Sequence, residues 1–414
     1  MSQQEEAIEG IGAWWESPEG NSIHGPQQYR LHGYAGSGKT TIARHFPEIL
    51  DIPHGEDGLM YAAYTGRAAQ VLTKKGCPAV TLHSLMYIPL AKGKAELRKL
   101  DAEIAELELA GDFSPNKAYR KLKMQRDKLA DELNQPGFIL NETDSPLNTV
   151  KLLVVDECSM VDEDMAADLL GFGCRLLILG DPGQLPPVGG PGAFDADPDY
   201  FLTELYRQEA GNPVVELATR ARKGMPISPG KYGGSMAYKK LNPMKWADYD
   251  QVIVGKNATR ERICRELRAG QGHRDWKPQE GDKIIVLENN RLLRVVNGAQ
   301  YTACETRQAE EGWSVTVLAQ DDEGIERELT CWAQPFADGL DGEKAVSREM
   351  DYHLRQTKVY ATWGHAITCH KAQGGQWDDV LVMDESRVFR NDADRWLYTA
   401  ITRAAQNVAI IRPA

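Results

Sequence analysis

Apolar runs along the chain stop at residues that a buried strand would not keep. Tyr29-Arg30-Leu31-His32 ends at Gly33, and Lys151-Leu152-Leu153-Val154-Val155 ends at Asp156-Glu157. Arg175-Leu176-Leu177-Ile178-Leu179 ends at Gly180-Asp181-Pro182-Gly183-Gln184-Leu185-Pro186-Pro187. Short continuous apolar runs bounded by turn residues predict strands of a parallel sheet whose faces are covered by helices. A helical run follows the first strand from Thr41, and Asn407-Val408-Ala409-Ile410-Ile411 predicts a last strand. The period changes over residues 91–136. There Leu97, Leu100, Ile104 and Leu107 recur at three- and four-residue spacing, a helical stripe. After Gly111-Asp112-Phe113-Ser114-Pro115, a second stretch puts Leu122, Leu129 and Leu133 on one face. Its other face carries Lys117, Arg120, Lys121, Lys123, Arg126 and Lys128. The expectation is a helical hairpin, its basic face either a contact surface or simply solvated. Over 276–353 the period shortens again, with strands expected at 283–287, 300–304 and 313–318 between polar, glycine-rich turns, which suggests a small β-barrel.

The chain has 414 residues, too many for one core, so two or more domains are expected. No stretch approaches the roughly 18 consecutive apolar residues of a membrane span. Met1 to Gly10 is polar and acidic, unlike a signal peptide. The seven cysteines are scattered without a CxxC pair, which predicts reduced thiols in a cytoplasm, with neither a disulfide framework nor a zinc site. A net charge of −12 lowers the expectation of tight static binding to a polyanion. It does not exclude a motor that grips and releases through a local basic groove.

The chemistry gathers at the strand ends. Gly33-Tyr34-Ala35-Gly36-Ser37-Gly38-Lys39-Thr40 is GxxxxGK[ST], with a strand before it and a helix after it. Its glycines let successive amides point at phosphate oxygens, and a helix N-terminus adds partial positive charge. Gly33, Gly36, Ser37, Gly38, Lys39, Thr40 and Thr41 are therefore candidate nucleotide contacts. Lys39 would reach the β- and γ-phosphates, and the Thr40 hydroxyl would ligate Mg²⁺. Asp156, at a strand's C-terminal end, would hold the Mg²⁺ shell opposite Thr40. The adjacent Glu157 is placed to orient or deprotonate an attacking water, which a simple phosphotransferase does not need. An acidic pair can also merely end a strand, and on spacing alone the Gly180–Pro187 segment is only a turn. As a sensor, Gln184 would bond the γ-phosphate or the attacking water.

The series resembles superfamily-one helicases, in the branch containing RecD and Dda, along nearly the whole chain. Gln4-x-x-Ala7 looks like the glutamine motif that reads adenine. Thr65-Gly66-Arg67-Ala68-Ala69 and Thr81-Leu82-His83-Ser84 look like early strand-contacting motifs, and the Asp156 and Gln184 segments fit the next two. Leu202-Thr203-Glu204-Leu205-Tyr206-Arg207-Gln208 is similar to the motif carrying an arginine finger, with Tyr206 in the base-stacking position. Ile367-Thr368-Cys369-His370-Lys371-Ala372-Gln373-Gly374 and Tyr398-Thr399-Ala400-Ile401-Thr402-Arg403 resemble the last two motifs. Gly281-Asp282-Lys283-Ile284-Ile285, with Val296-Asn297-Gly298 beyond it, matches the RecD-like branch in particular.

That resemblance implies an α/β fold of two RecA-like P-loop domains in tandem, with ATP and Mg²⁺ between them. The first would span 1–90 and 137–200 and carry the 91–136 helical insert where relatives place a strand-separating pin, often a β-hairpin. The second would span 201–275 and 354–414 and carry an SH3-like β insert at 276–353. Lys39, Glu157, Gln184, Arg207 and Arg403 would be catalytic, the two arginines reaching across the cleft. Gln4, Tyr206 and Gly374 would join the nucleotide contacts. Thr65, Arg67, His83, His370 and Lys371 would line the strand channel, although His83 could equally be a hydrogen-bonded core histidine. The implied activity is a monomeric, cytoplasmic DNA helicase moving 5′ to 3′. Its expected partners are single-stranded DNA, single-strand/duplex junctions, and single-strand-binding or replication proteins, with no membrane partner. An RNA helicase, a translocase that does not unwind, or an ATP-switched binding module are the alternatives. Glu157 together with both finger arginines speaks against the last.

Overall fold

A computed structural model of the chain describes all residues except 1, 19–21, 89–96, 98, 105–118, 120, 127–138, 188–189, 196, 205–211, 291, 311, 351 and 413–414. The apolar runs form a six-stranded sheet. Its spatial order is Ala79–Thr81, Leu59–Ala63, Leu152–Asp156, Arg175–Gly180, Gln28–Gly33, Tyr200–Leu202, every pairing parallel. Alternate residues of each strand feed opposite faces. Leu152 and Val154 pack with Leu177 and Leu179 under Ile11 and Trp14 of the helix Gln3–Glu16 and Leu72 of the helix Gly66–Lys74. Leu153 and Val155 pack with Leu176 and Ile178 under Leu85, Met165 and Leu169. Burial on both faces explains why these strands read as unbroken apolar runs. The strand Tyr200–Leu202 crosses the boundary expected at 200/201 and completes the first sheet, with Leu31 in register with Tyr200.

A second six-stranded sheet runs in the order Ala366–Thr368, Gln251–Val254, Trp377–Met383, Ala404–Ile411, Ser235–Tyr238, Gly230–Tyr232. Its pairings are parallel except for the terminal 230–232/235–238 hairpin, which the sequence reading did not foresee. The helices Pro213–Arg222 and Ala393–Ile401 cover one face through Leu217, Ala221, Trp396 and Ile401.

The third sheet has five antiparallel strands, Glu326–Trp332, Ser314–Gln320, Gln300–Glu310, Lys283–Val286 and Ala361–Trp363 in spatial order. Inward Val315, Val317 and Ala319 alternate with half-exposed neighbours, the period of two that marked this region. Its edges meet where the Trp332 N–H donates to Val359 O at 3.1 Å and the Val359 N–H donates to Thr330 O at 2.8 Å. The sheet therefore ends at Trp363, beyond the expected limit of 353. Most of the 91–136 segment lies outside the described residues; 99–104 and 121–126 are helical, and Arg126 pairs with Asp101 at 2.9 Å. Among the described residues no helix is long and apolar enough to cross a membrane.

Candidate nucleotide site and strand channel

The first sheet aims its strand ends at one place. Gly36 and Gly38 hold φ of +82° and +86°, left-handed conformations that glycine adopts without a steric penalty. A Cβ on Gly33 would lie 2.5 Å from Ser37 Oγ, so the loop is too tight for any side chain there. The helix Lys39–Ala43 starts directly after Gly38. Lys39 Nζ donates to the carbonyl oxygens of Gly33 and, at 3.3 Å, Tyr34, folding its charge over the loop. Gln4 Nε2 donates to Ser37 O at 3.3 Å, so this glutamine braces the same loop. Gln3, which the sequence reading passed over, ties the first helix to the far strand. Its Nε2 donates to Thr203 Oγ1, and its Oε1 accepts from the Thr203 and Glu204 N–H groups at 2.8 and 2.9 Å.

Thr40 Oγ1 donates to Asp156 Oδ2 at 3.4 Å, bringing the two expected Mg²⁺ ligands together. Burial at the strand end and the neighbouring Glu157 carboxylate push the Asp156 carboxyl up, while the Lys39 ammonium pulls it down. One hydroxyl and one carboxylate suit Mg²⁺, which takes few protein ligands and keeps several waters. Among the described residues no cluster of three or more His, Cys, Asp or Glu forms a closed metal cage. Glu157 sits at φ +55° and ψ +44°. That left-handed conformation costs a non-glycine residue about 1–3 kcal/mol and turns the side chain out of the strand line toward the cleft. Gln184 is buried, and its Oε1 finds no partner among the described residues, an acceptor left over at the tip of the third strand.

Residues next to the second sheet close over these groups. Arg403 Nη1 lies 3.5 Å from Glu157 Oε1, and its other donors reach Thr399 O at 3.1 Å, Gly375 O at 3.4 Å and Thr402 Oγ1 at 3.3 Å. Tyr398 makes the tightest crossing, although the sequence reading gave it no role. Its hydroxyl accepts from the Ala35 N–H of the phosphate loop at 2.8 Å and donates to Asp181 Oδ2 at 2.6 Å. Burial and the Asp181 charge push this hydroxyl well above its usual range. Thr399 Oγ1 accepts from the Leu185 N–H at 2.9 Å, and Gln373 Nε2 donates to Leu185 O at 3.0 Å. Tyr206 and Arg207 lie outside the described residues.

A cavity of about 1360 Å³ separates the first domain from the antiparallel sheet, lined by Thr65, His83, Tyr87, Asn289, Asn297 and Asp322 among others. His83 stands edge-on to Tyr64 at 5.6 Å and tilted to Tyr87 at 5.5 Å, and burial lowers its pKa. Thr65 caps the helix Gly66–Lys74 by accepting from the Ala68 N–H at 3.1 Å.

Three candidates are placed differently from the strand-contact or nucleotide role expected of them. Arg67 is buried, its guanidinium stacked 4.5 Å over Trp377 and paired with Asp322 at 3.5 Å, so it ties three domains rather than facing an open channel. Lys371 is pushed down to about 8 by burial and by Arg260. Half-buried, it feels the charges of the Arg260–Glu343 pair, while His370 packs 5.7 Å from Phe389. Gly374 lies against the first domain, where a Cβ would come 2.5 Å from Ala68 Cβ and 3.0 Å from Thr65 Oγ1. It belongs to the interface beside the channel. Sequence spacing could not separate these positions from true contacts, because burial by another domain leaves no periodic trace.

Residues 23–190 match a family model described as an AAA domain, and residues 364–411 match a UvrD-like helicase C-terminal domain. The ATP-dependent RecD2 DNA helicase of Deinococcus radiodurans is 26% identical over 355 residues, covering 75% of this chain and 44% of that one. The RecBCD enzyme subunit RecD of Mycolicibacterium smegmatis is 26% identical over 305 residues, 63% of this chain and 50% of that one. In sequence the chain is thus similar to RecD-type superfamily-one DNA helicases. A structure of Pif1 helicases at forked double-stranded DNA superposes with a TM-score of 0.55 at 18% identity, covering 99% of this chain and 91% of that one. Bacteroides Pif1 with ADP-AlF3 and single-stranded DNA gives 0.52 at 17% identity, over 98% and 91%. These similarities carry the fold. The chain spans half or less of the length of the curated relatives named here.

Proposed function

We propose that this chain is an ATP-driven DNA motor that moves 5′ to 3′ along single-stranded DNA and opens duplexes at single-strand/duplex junctions. The observation that carries the reading is the pairing of Glu157 in one α/β domain with Arg403 of the other, 3.5 Å apart across the phosphate loop. Hydrolysis then requires the cleft to be closed. When nucleotide enters, Lys39 exchanges the Gly33 and Tyr34 carbonyls for phosphate oxygens. Thr40 and Asp156 would hold Mg²⁺, which would supply positive charge against the phosphate oxygens. Glu157 releases Arg403 to the phosphoryl group and takes the proton of the water that attacks the γ-phosphorus as its bond to the bridging oxygen breaks and ADP leaves; the Gln184 Oε1 accepts from that water.

The same contacts reach the strand cavity. Gln373 holds Leu185, next to Gln184, and the following Gly374 presses on Thr65 and Ala68 at the cavity wall. A shift of the sensor loop therefore moves a strand-contacting motif through two packed neighbours. Thr65, His83 and Tyr87 supply hydroxyl and ring surfaces suited to a single strand, whose bases stack on any flat face. The closed antiparallel sheet is the SH3-like insert, and the 91–136 segment is the candidate pin.

Partial duplexes with a 5′ or a 3′ tail, in DNA and in RNA, test the proposal with ATP and Mg²⁺. Unwinding of only the 5′-tailed DNA is expected. Strand-stimulated ATP hydrolysis without unwinding would make the chain a translocase, and RNA unwinding would reassign the substrate. Hydrolysis indifferent to any strand would refute the motor.

A further inference from the structure

Besides Arg403, another arginine enters the cleft among the described residues. Arg222 closes the helix Pro213–Arg222 of the second domain, and its guanidinium lies 3.4 Å above the ring of Tyr34, the second residue of the phosphate loop. Its stem passes the sensor loop, where a Cβ on Gly183 would meet Arg222 Cδ at 3.1 Å and the Tyr398 ring at 2.9 Å. The absence of a side chain at 183 is what lets both groups of the second domain reach the loop.

The stacking uses only the face of the guanidinium. All five N–H donors lie in the plane, so the edge stays available for a planar or tetrahedral oxyanion. Among the described residues no carbonyl or carboxylate takes up that edge. Arg403, by contrast, starts out engaged with Glu157, Thr399, Gly375 and Thr402. Tyr34 is itself fixed, edge-on to Phe201 at 4.9 Å and to Tyr398 at 6.5 Å, so the perch holds the arginine's plane in a set orientation. A cation with a free hydrogen-bonding edge between a phosphate loop and its sensor loop matches one ligand chemistry, the outer phosphate oxygens of a nucleoside triphosphate.

We propose that Arg222 is a further phosphate-contacting residue, held on Tyr34 and donating through its edge to the transferring γ-phosphoryl group. The proposal rests on the ATP-hydrolysis reading above. It differs from a plain inter-domain tie in one respect. A tie would stabilise the closed cleft whatever nucleotide fills it, whereas a γ-phosphoryl contact is felt only when that group, or a mimic of it, is present.

The test compares binding of ADP with binding of ADP plus aluminium fluoride, both with Mg²⁺ and single-stranded DNA, to the full chain. Arg222→Gln is expected to weaken the aluminium fluoride complex by at least about tenfold, with ADP affinity within about twofold of the parent, because transition-state mimics report contacts absent from the product. Arg222→Lys, which keeps charge but loses the planar stack, is expected to fall between. It carries the test on the same scale if the Gln variant does not fold. Equal aluminium fluoride affinity in variant and parent overturns the proposal. So does a parallel loss for both ligands, which assigns Arg222 to the tie. A parent chain that binds neither ligand, while Lys39→Ala behaves identically, instead overturns the hydrolysis reading itself.

Discussion

Replacing Tyr398 by Phe removes one oxygen atom and nothing else from a packed ring, so its consequence can be worked from two hydrogen bonds. The hydroxyl donates to Asp181 Oδ2 at 2.6 Å and accepts from the Ala35 N–H at 2.8 Å, and both partners belong to the first domain. A bond to a charged group contributes about 1.5–3 kcal/mol and a neutral one about 0.5–1.5. Asp181 keeps the Gly183 N–H at 3.0 Å, so its carboxylate is not stripped bare. Burial already pushes the Asp181 carboxyl up, and it regains part of the loss by protonating. The net cost to the closed cleft is then about 2–4 kcal/mol, roughly a 30- to 1,000-fold fall in the closed-to-open ratio at about 1.4 kcal/mol per tenfold. Both bonds span the two domains, so the loss falls on closure and spares each domain's own core. Single-turnover ATP hydrolysis should slow accordingly, and a fluorophore pair across the cleft should report wider separation with ATP bound. Melting of the isolated transitions should change little. Hydrolysis within about twofold of the parent, with unchanged separation, would refute the claim that this hydroxyl holds the cleft.

Glu157→Gln should still bind ATP but turn it over at least about a hundredfold more slowly, because the amide cannot accept the water's proton; equilibrium binding and steady-state hydrolysis measured together decide it. Arg403→Ala should spare ADP binding and cut hydrolysis by about a thousandfold, the scale of a finger arginine, and an unchanged rate would place the cleft elsewhere. Lys371 is a base whose folded pKa, about 8, lies below its ordinary 10.5, so the unfolded chain holds its proton more tightly over that interval. Stability from this group therefore rises as pH climbs from about 8 to 10.5, and Lys371→Met should flatten that rise in a pH series of melting temperatures. A parallel slope in both proteins would mean that Lys371 is solvated.

The nucleotide half of the site was legible because each of its residues is fixed by the chain next to it. Gly36 and Gly38 are needed for their own positive φ, Lys39 and Thr40 follow them into a helix, and Asp156 and Glu157 end the apolar run that buries their strand. Such local rules are written in composition and spacing, and they sufficed for the parallel sheet and for where its strand ends bring the candidate residues. The cleft obeyed different physics. Tyr398, Gln373 and Arg222 work on loops nearly two hundred residues or more from them in sequence or on the opposite domain, and nothing in a one-dimensional pattern distinguishes them from core or surface. Arg67 makes the converse point. Its motif suggested an open strand contact, yet Trp377 and Asp322 arrive from two other domains and enclose it. Sequence alone determined which backbone turns could cradle phosphate and which strands were buried. Only the tertiary structure decided which charges remain free, because desolvation and pairing depend on what folds over a residue and not on what precedes it.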